Sequence, residues 1–452
     1  MRVKQNQNSA ASVSKQVLRN SVPAIAAMIM VLIYNLADTF FIGQTNDDLQ
    51  VAAVSVATPV FLIFMALGTL FGMGGTSVIS RALGEGRGDY AKKVSSFCMW
   101  ACVAVGIVFT ILFWILMDRM LLWIGASANT MEYARRYLEI VSLCGPFVLI
   151  GNCFSNVIRA EGRSAVAMMG MLIGNLVNVA LDPIMILWLN WEIAGAAIAT
   201  VIGNIAAALY YLIYFWRGKS TLSIRPRDFT IREKVCSGVL AIGIPASLGS
   251  LLMSVSQVVV NGLMAGYGDL AVAAIGLSMK VTMIIAMFAL GLGQGVQPLL
   301  GYCVGAKDWQ RFRAVMRFSL WFALGLGVTL TALSYLFAEP LVGAFLTDPA
   351  AMEYGVAFSK ILLTTGAAFG VLYVLINALQ AMGAALPSLI ISICRQGLSM
   401  SPHCSRSIFC SEGTDWSGHS RLRTCSRSCW PPCSIKSPSE NGSAAPLPGR
   451  QS

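Results

Sequence analysis

The chain has 452 residues, 56% of them hydrophobic and only 12% charged, with a formal net charge of +11 and a mean hydropathy of +0.69. A soluble domain is usually about a quarter charged, and here the apolar residues gather in blocks of about twenty or more, each able to cross a bilayer. These numbers exclude a cytosolic enzyme, a secreted disulfide scaffold and a disordered regulator, and predict an all-α polytopic membrane protein.

In chain order, hydropathy predicts helices over 17–43, 51–80, 94–117, 133–159, 164–188, 193–216, 235–262, 270–302, 312–337 and 355–380, with an eleventh starting near 386. The first is too long for a signal-peptide core and lacks a small-residue cleavage site, so it stays as a membrane helix. Of the 26 Lys and Arg before residue 399, 20 fall in alternate hydrophilic segments, among them Arg159 and Arg163 and six from Arg217 to Lys234. By the positive-inside rule, residues 1–16 are then cytoplasmic. The basic loop 217–234, holding Arg225-Pro226-Arg227, reads as a cytoplasmic linker between two halves. A nucleic-acid partner would need the basic residues on one contiguous face, so none is expected; the partner is the lipid bilayer.

Shifting the sequence by 221 residues brings Met131-Glu132-Tyr133 onto Met352-Glu353-Tyr354 and pairs Gly72 with Gly293, Gly145 with Gly366 and Asn156 with Asn377. Six helices per half starting on the same side make a parallel repeat of two pseudo-symmetric lobes, 17–216 and 235–398, around a central cavity. The second lobe is incomplete. From about Ser399 the chain turns Ser-, Arg-, Pro- and Cys-rich, with 14 Ser, both His and five of the twelve Cys in 54 residues. Such a switch inside an expected helix reads as a frameshift, and 399–452 as an aberrant, out-of-frame tail. The resulting product lacks a helix 12 and is expected to be transport-inactive. Zinc is not expected there, because Cys425-x3-Cys429-x3-Cys433 lacks a second close pair.

Polar groups inside a bilayer are costly and by default functional. Asp38 lies about 7–8 Å inside the outer end of helix 1 at 1.5 Å per residue; Asp182 on helix 5 and Thr200 on helix 6 reach a similar depth. Asn175, Asn178 and Asp182 follow i, i+3, i+7 spacing and share one helix face, and Tyr34, Asn35 and Asp38 share another. Two carboxylates in a polar-lined, partly dehydrated cavity can carry a proton or hold Na⁺ through oxygen ligands, and Pro183 invites a bend that frees carbonyls. The second lobe offers Gln257 and Lys280 instead, the latter near mid-membrane and aligned with Pro59. With Asn152 these residues are expected to line a substrate cavity. Gly291, Gly293 and Gly295 are read as close helix packing and not as a nucleotide loop. No His occurs before residue 399 and no Walker-type motif occurs, so neither an enzyme nor direct use of ATP is expected.

Tyr34-Asn35-Leu36-Ala37-Asp38-Thr39-Phe40-Phe41-Ile42-Gly43, Ala52-Ala53-Val54, Ser80-Arg81-Ala82-Leu83-Gly84, Arg159-Ala160-Glu161-Gly162 and Gly291-Leu292-Gly293-Gln294-Gly295-Val296-Gln297-Pro298 together resemble the multidrug and toxic compound extrusion (MATE) family over about residues 15–398. The resemblance implies a twelve-helix, two-lobe efflux antiporter of the bacterial inner membrane, a monomer that exchanges cationic or amphipathic compounds for H⁺ or Na⁺ and needs no cofactor. It implies a cation site at Asp38, Asn178, Asp182 and Thr200. C-lobe acids on helices 7 and 10, used by some members, are replaced here by Gln257 and Asn377. An exporter or flippase of lipid-linked or polysaccharide precursors is the alternative that this architecture leaves open.

Overall fold

The computed structural model describes residues 10–43, 48–124, 130–189, 191–265, 269–337 and 355–394, except 357, 361, 364 and 365. The predicted tail 399–452 lies outside them. All regular structure among the described residues is helical: α1 (Ala10–Gly43), α2 (Asp48–Gly84), α3 (Gly88–Ile124), α4 (Met131–Leu143), α5 (Gly145–Ala160), α6 (Ser164–Pro183), α7 (Glu192–Trp216), α8 (Val235–Ala265), α9 (Asp269–Gly305), α10 (Trp309–Leu336), α11 (Gly366–Met382) and α12 (Ala385–Cys394). Eight of these helices, or nine counting the bent α4–α5 pair as one span, are long and apolar enough to cross a membrane. Helices meet that demand because each satisfies its own backbone hydrogen bonds.

Two expectations need correction. The helix expected over 133–159 is broken at Cys144, where α4 and α5 meet at 57°. Pro146 lacks an N–H and its ring opposes the preceding turn, and Gly145 is pressed against the Phe64 ring and Thr110 Oγ1. The helix expected over 94–117 runs from Gly88 to Ile124, because helices continue through the polar boundary that a hydropathy window trims.

The repeat is visible in atomic detail. A Cβ on Gly145 would lie 2.6 Å from Thr110 Oγ1 and 2.5 Å from Phe64, and one on Gly366 would lie 2.5 Å from Thr331 Oγ1 and 3.1 Å from Ile285. All three pairings are related by the shift of 221. Gly72 likewise faces Asn156, as Gly293 faces Asn377.

The lobes exchange helices at their seam. Val13, Val17 and Ile25 of α1 belong to the C-lobe core with Leu292, Val296 and Val374, whereas Val235 and Val239 of α8 belong to the N-lobe core with Phe71 and Phe154. Small residues permit this approach: a Cβ on Gly291 would come within 2.6 Å of Ile25 Cα, and one on Gly295 within 2.5 Å of Ser21 Cα. The tight-packing role read for these glycines is therefore met. At the same end Ser77 donates to the Gln380 carbonyl, and Arg159 Nη1 donates to Gln294 Oε1.

The linker is not a loose tether. The Glu161 carboxylate accepts from Ser220 Oγ at 2.6 Å, Thr221 Oγ1 at 2.8 Å, and the Thr221 and Leu222 backbone N–H groups. Further along, Ser96 donates to the Arg225 carbonyl at 2.7 Å, Phe229 stacks on Phe97 and Lys93 pairs with Glu233 at 2.7 Å.

Candidate functional site

Close approach of α6 and α7 builds the N-lobe polar cluster. A Cβ on Gly203 would lie 2.7 Å from the Gly174 carbonyl oxygen, and that proximity lets Asn178 Nδ2 donate to Thr200 Oγ1 at 3.3 Å. One turn on, Asn204 Nδ2 donates to the Thr200 carbonyl at 2.8 Å. After Asp182, Pro183 ends the α-helix and Ile184–Trp188 form a π-helical turn, the local bend expected at this proline. Asp182 itself is fully buried.

From α1, Asp38 lies near enough to Asp182 for the two carboxylates to interact electrostatically, and Tyr34 lies within hydrogen-bonding reach of Thr200. Tyr137 of α4, not singled out from the sequence, reaches the same threonine. Among the described residues, both Asp182 carboxylate oxygens, Asp38 Oδ1, Asn178 Oδ1 and Asn175 Nδ2 are buried and without a hydrogen-bond partner. Buried carboxylates lacking donors are electrostatically incomplete. This cluster of oxygens has the chemistry to hold a proton or a small hard cation.

A cavity of about 100 Å³ opens beside the cluster, lined by Tyr34, Asn152, Asn175, Asn178, Thr200 and Met171 among others. It is mostly apolar with a few converging polar groups, as small-molecule sites usually are, and methionine gives such walls adaptability. The expected lining is thus partly assembled. Asn152 is at the wall, though its amide is engaged by the Met65 carbonyl at 2.8 Å and Thr69 Oγ1 at 3.2 Å. Asn35 is exposed, whereas Tyr34 and Asp38 are half-buried, and it is not among the residues lining this cavity. Lys280 is exposed and outside this cavity, and the Gln257 side chain lies outside the described residues.

Arg159 departs furthest from its sequence reading. Counted among the basic residues of a loop, it is instead 1% exposed, held by Asn156 Oδ1 at 3.0 Å and by Gln294 from the other lobe. Its Nε has no partner. Its place in Arg159-Ala160-Glu161-Gly162 was the only signal in the sequence.

A two-lobed bundle of long apolar helices, with a buried polar cluster and an adjoining cavity in one lobe, has the architecture of a multi-pass membrane transporter. The MatE family model matches residues 23–184 and 245–403, and the chain belongs to the MATE family of transporters. Its relatives include the multidrug export protein MepA of Staphylococcus aureus, 30% identical over 407 residues covering 90% of each chain, and MepA of Staphylococcus haemolyticus, 31% identical over 415 residues and again 90% of each. Among solved structures, a MOP-superfamily transporter from Pyrococcus furiosus superposes with a TM-score of 0.79 at 25% identity, covering 85% of this chain and 86% of that one. The Vibrio cholerae MATE transporter VcmN gives 0.81 at 24% identity, over 86% and 88%.

Proposed function

We propose that this chain is built as a multidrug exporter of the bacterial inner membrane, with its N-terminus in the cytoplasm, that expels cationic or amphipathic compounds in exchange for entering H⁺ or Na⁺. The observation that carries the reading is the set of buried, partnerless oxygens on Asp182, Asp38 and Asn178. A coupling site must be unsatisfied when empty, so that a proton or Na⁺ changes its energy enough to bias one conformation over another. Asp38 and Asp182 carry the charge in this scheme, and Asn178 and Thr200 supply neutral oxygens. Tyr34, Asn152 and Asn175 line the adjoining cavity, so substrate and ion compete for one lobe. The export activity named for the MepA relatives supports the substrate class.

The test is accumulation of a fluorescent cationic dye in an efflux-deficient host expressing a version with the reading frame restored after Leu398. Asp38→Asn keeps the shape of the side chain but cannot exchange a proton or offer a full charge to Na⁺. It should abolish export with normal membrane insertion; near-normal export by that variant would remove Asp38 from the coupling role.

A further inference from the structure

Lys280 is left over once the N-lobe site is assembled. It is a lysine inside the apolar helix α9, exposed, and with no acidic partner among the described residues. A charged side chain facing lipid at such a depth is strongly disfavoured, so which way this part of α9 faces decides its role.

The helix itself fixes that direction. Gly291 and Gly295 of α9 meet Ile25 and Ser21 of α1, and Gly305 meets the Arg81 backbone of α2, so these glycines mark the stripe of α9 that faces α1 and α2. Lys280 is eleven residues before Gly291, about three full turns at 3.6 residues each, and therefore on the same stripe about 16 Å further along. Gly293, which faces Tyr373 and Asn377 of α11, is about three and a half turns away and points to the other side. The seam closed at Gly291 is open here: a Cβ at Gly276, one turn past Lys280, would meet nothing within 4 Å. The antiparallel register that pairs Ile25 with Gly291 places Leu36 of α1 opposite Lys280, and Leu36, Ile33 and Phe40 are 43%, 47% and 59% exposed.

We infer that Lys280 projects from the C-lobe into the cleft between the lobes and binds the anionic group, a carboxylate or phosphate, of amphipathic substrates whose apolar part lies against Ile33, Leu36 and Phe40 of the opposite lobe. The cleft then recognises two ends of a zwitterion. Asp38 and Asp182 of the N-lobe favour the cationic end, and the Lys280 ammonium of the C-lobe favours the anionic one. A lysine suits this task because it is a compact point charge on a flexible stem, able to meet differently shaped anions. The inference rests on the reading of the chain as an exporter of cationic or amphipathic compounds, and adds a contact in the cleft between the lobes to the N-lobe cavity.

Rhodamine B, whose xanthenium cation carries a free carboxylate, and its ethyl ester, which lacks that charge, form a matched pair of probes. Their binding to the purified 452-residue chain in detergent is read by fluorescence anisotropy. The unmodified protein should bind rhodamine B about tenfold more tightly than the ester, the size expected of one partly hydrated charge-assisted hydrogen bond. Lys280→Met should erase that preference while changing ester affinity less than twofold, and Lys280→Arg should keep it. Equal effects of Lys280→Met on both dyes, or none on either, would overturn the role of Lys280 while leaving the substrate cleft standing. Failure of the unmodified protein to bind either dye would overturn both readings.

Discussion

Arg159 and Gln294 make the most exposed prediction about how the lobes part. The guanidinium is fully buried at the seam, Nη1 is shared between Asn156 of its own lobe and Gln294 of the other, and Nε has no partner. Gln294→Ala therefore removes one of few acceptors from a buried cation. A hydrogen bond to a charged group is worth about 1.5–3 kcal/mol, and the loss falls only on the closed seam, since water can reach Arg159 once the lobes separate. The equilibrium should move toward the open seam by about 10- to 150-fold. The reporter is a cysteine at Ser80, which is fully buried beneath Gly301, in a background with the other cysteines replaced. A membrane-impermeant maleimide applied to inside-out vesicles should label it faster in Gln294→Ala. Arg159→Met alone leaves Gln294 without its donor, but combined with Gln294→Ala it removes charge and acceptor together and should return labelling close to the starting rate, a non-additivity expected of a coupled pair. Unchanged labelling in Gln294→Ala, or simple addition of the two single effects, would refute the argument.

Three further outcomes follow from the same structure. Glu161→Ala removes the acceptor of the Ser220, Thr221 and Leu222 donors; hydrogen exchange of the 220–222 amides should rise by a factor corresponding to about 1–2 kcal/mol of local opening, and unchanged exchange would show that Phe229 and Lys93 hold the linker alone. Gly145→Ala forces a methyl against Phe64 and Thr110 and should destabilise the N-lobe by about 1–3 kcal/mol, read as a lower melting temperature; an unchanged value would contradict the packing described for the α4–α5 break. The 452-residue chain should export no dye, whereas a version with the frame restored after Leu398 should; equal export by the two would make 399–452 a genuine functional tail.

The repeat was legible because both lobes keep the same close contacts: a Gly against a hydroxyl and a core side chain at 145, 110 and 64 forces the same choice at 366, 331 and 285. Asp38 and Asp182 were legible because an acid inside an apolar helix has few bland explanations. Other features were hidden for physical reasons. Hydropathy averages over Cys144 and cannot register a 57° bend set by Pro146 and by tertiary contact at Gly145. Helical spacing groups Asn35 with Tyr34 and Asp38, yet one residue is about 100° of rotation, and Asn35 is the exposed member of the three. Arg159 looked like a loop charge because sequence gives no sign of the partner lobe that covers it, and Tyr137 joined the cluster only through that same three-dimensional packing.

Ion-driven export in proteoliposomes tests the coupling site most directly. With the frame-restored protein reconstituted and loaded with a cationic dye, a pH gradient and a Na⁺ gradient are imposed separately. One of the two should drive dye out of the interior space against its gradient. Asp38→Asn and Asp182→Asn should each abolish that movement, and the double variant should be no worse than either single change, because the two carboxylates act as one unit. Partial losses that add in the double variant, or gradient-driven export that survives without both acids, would contradict the account.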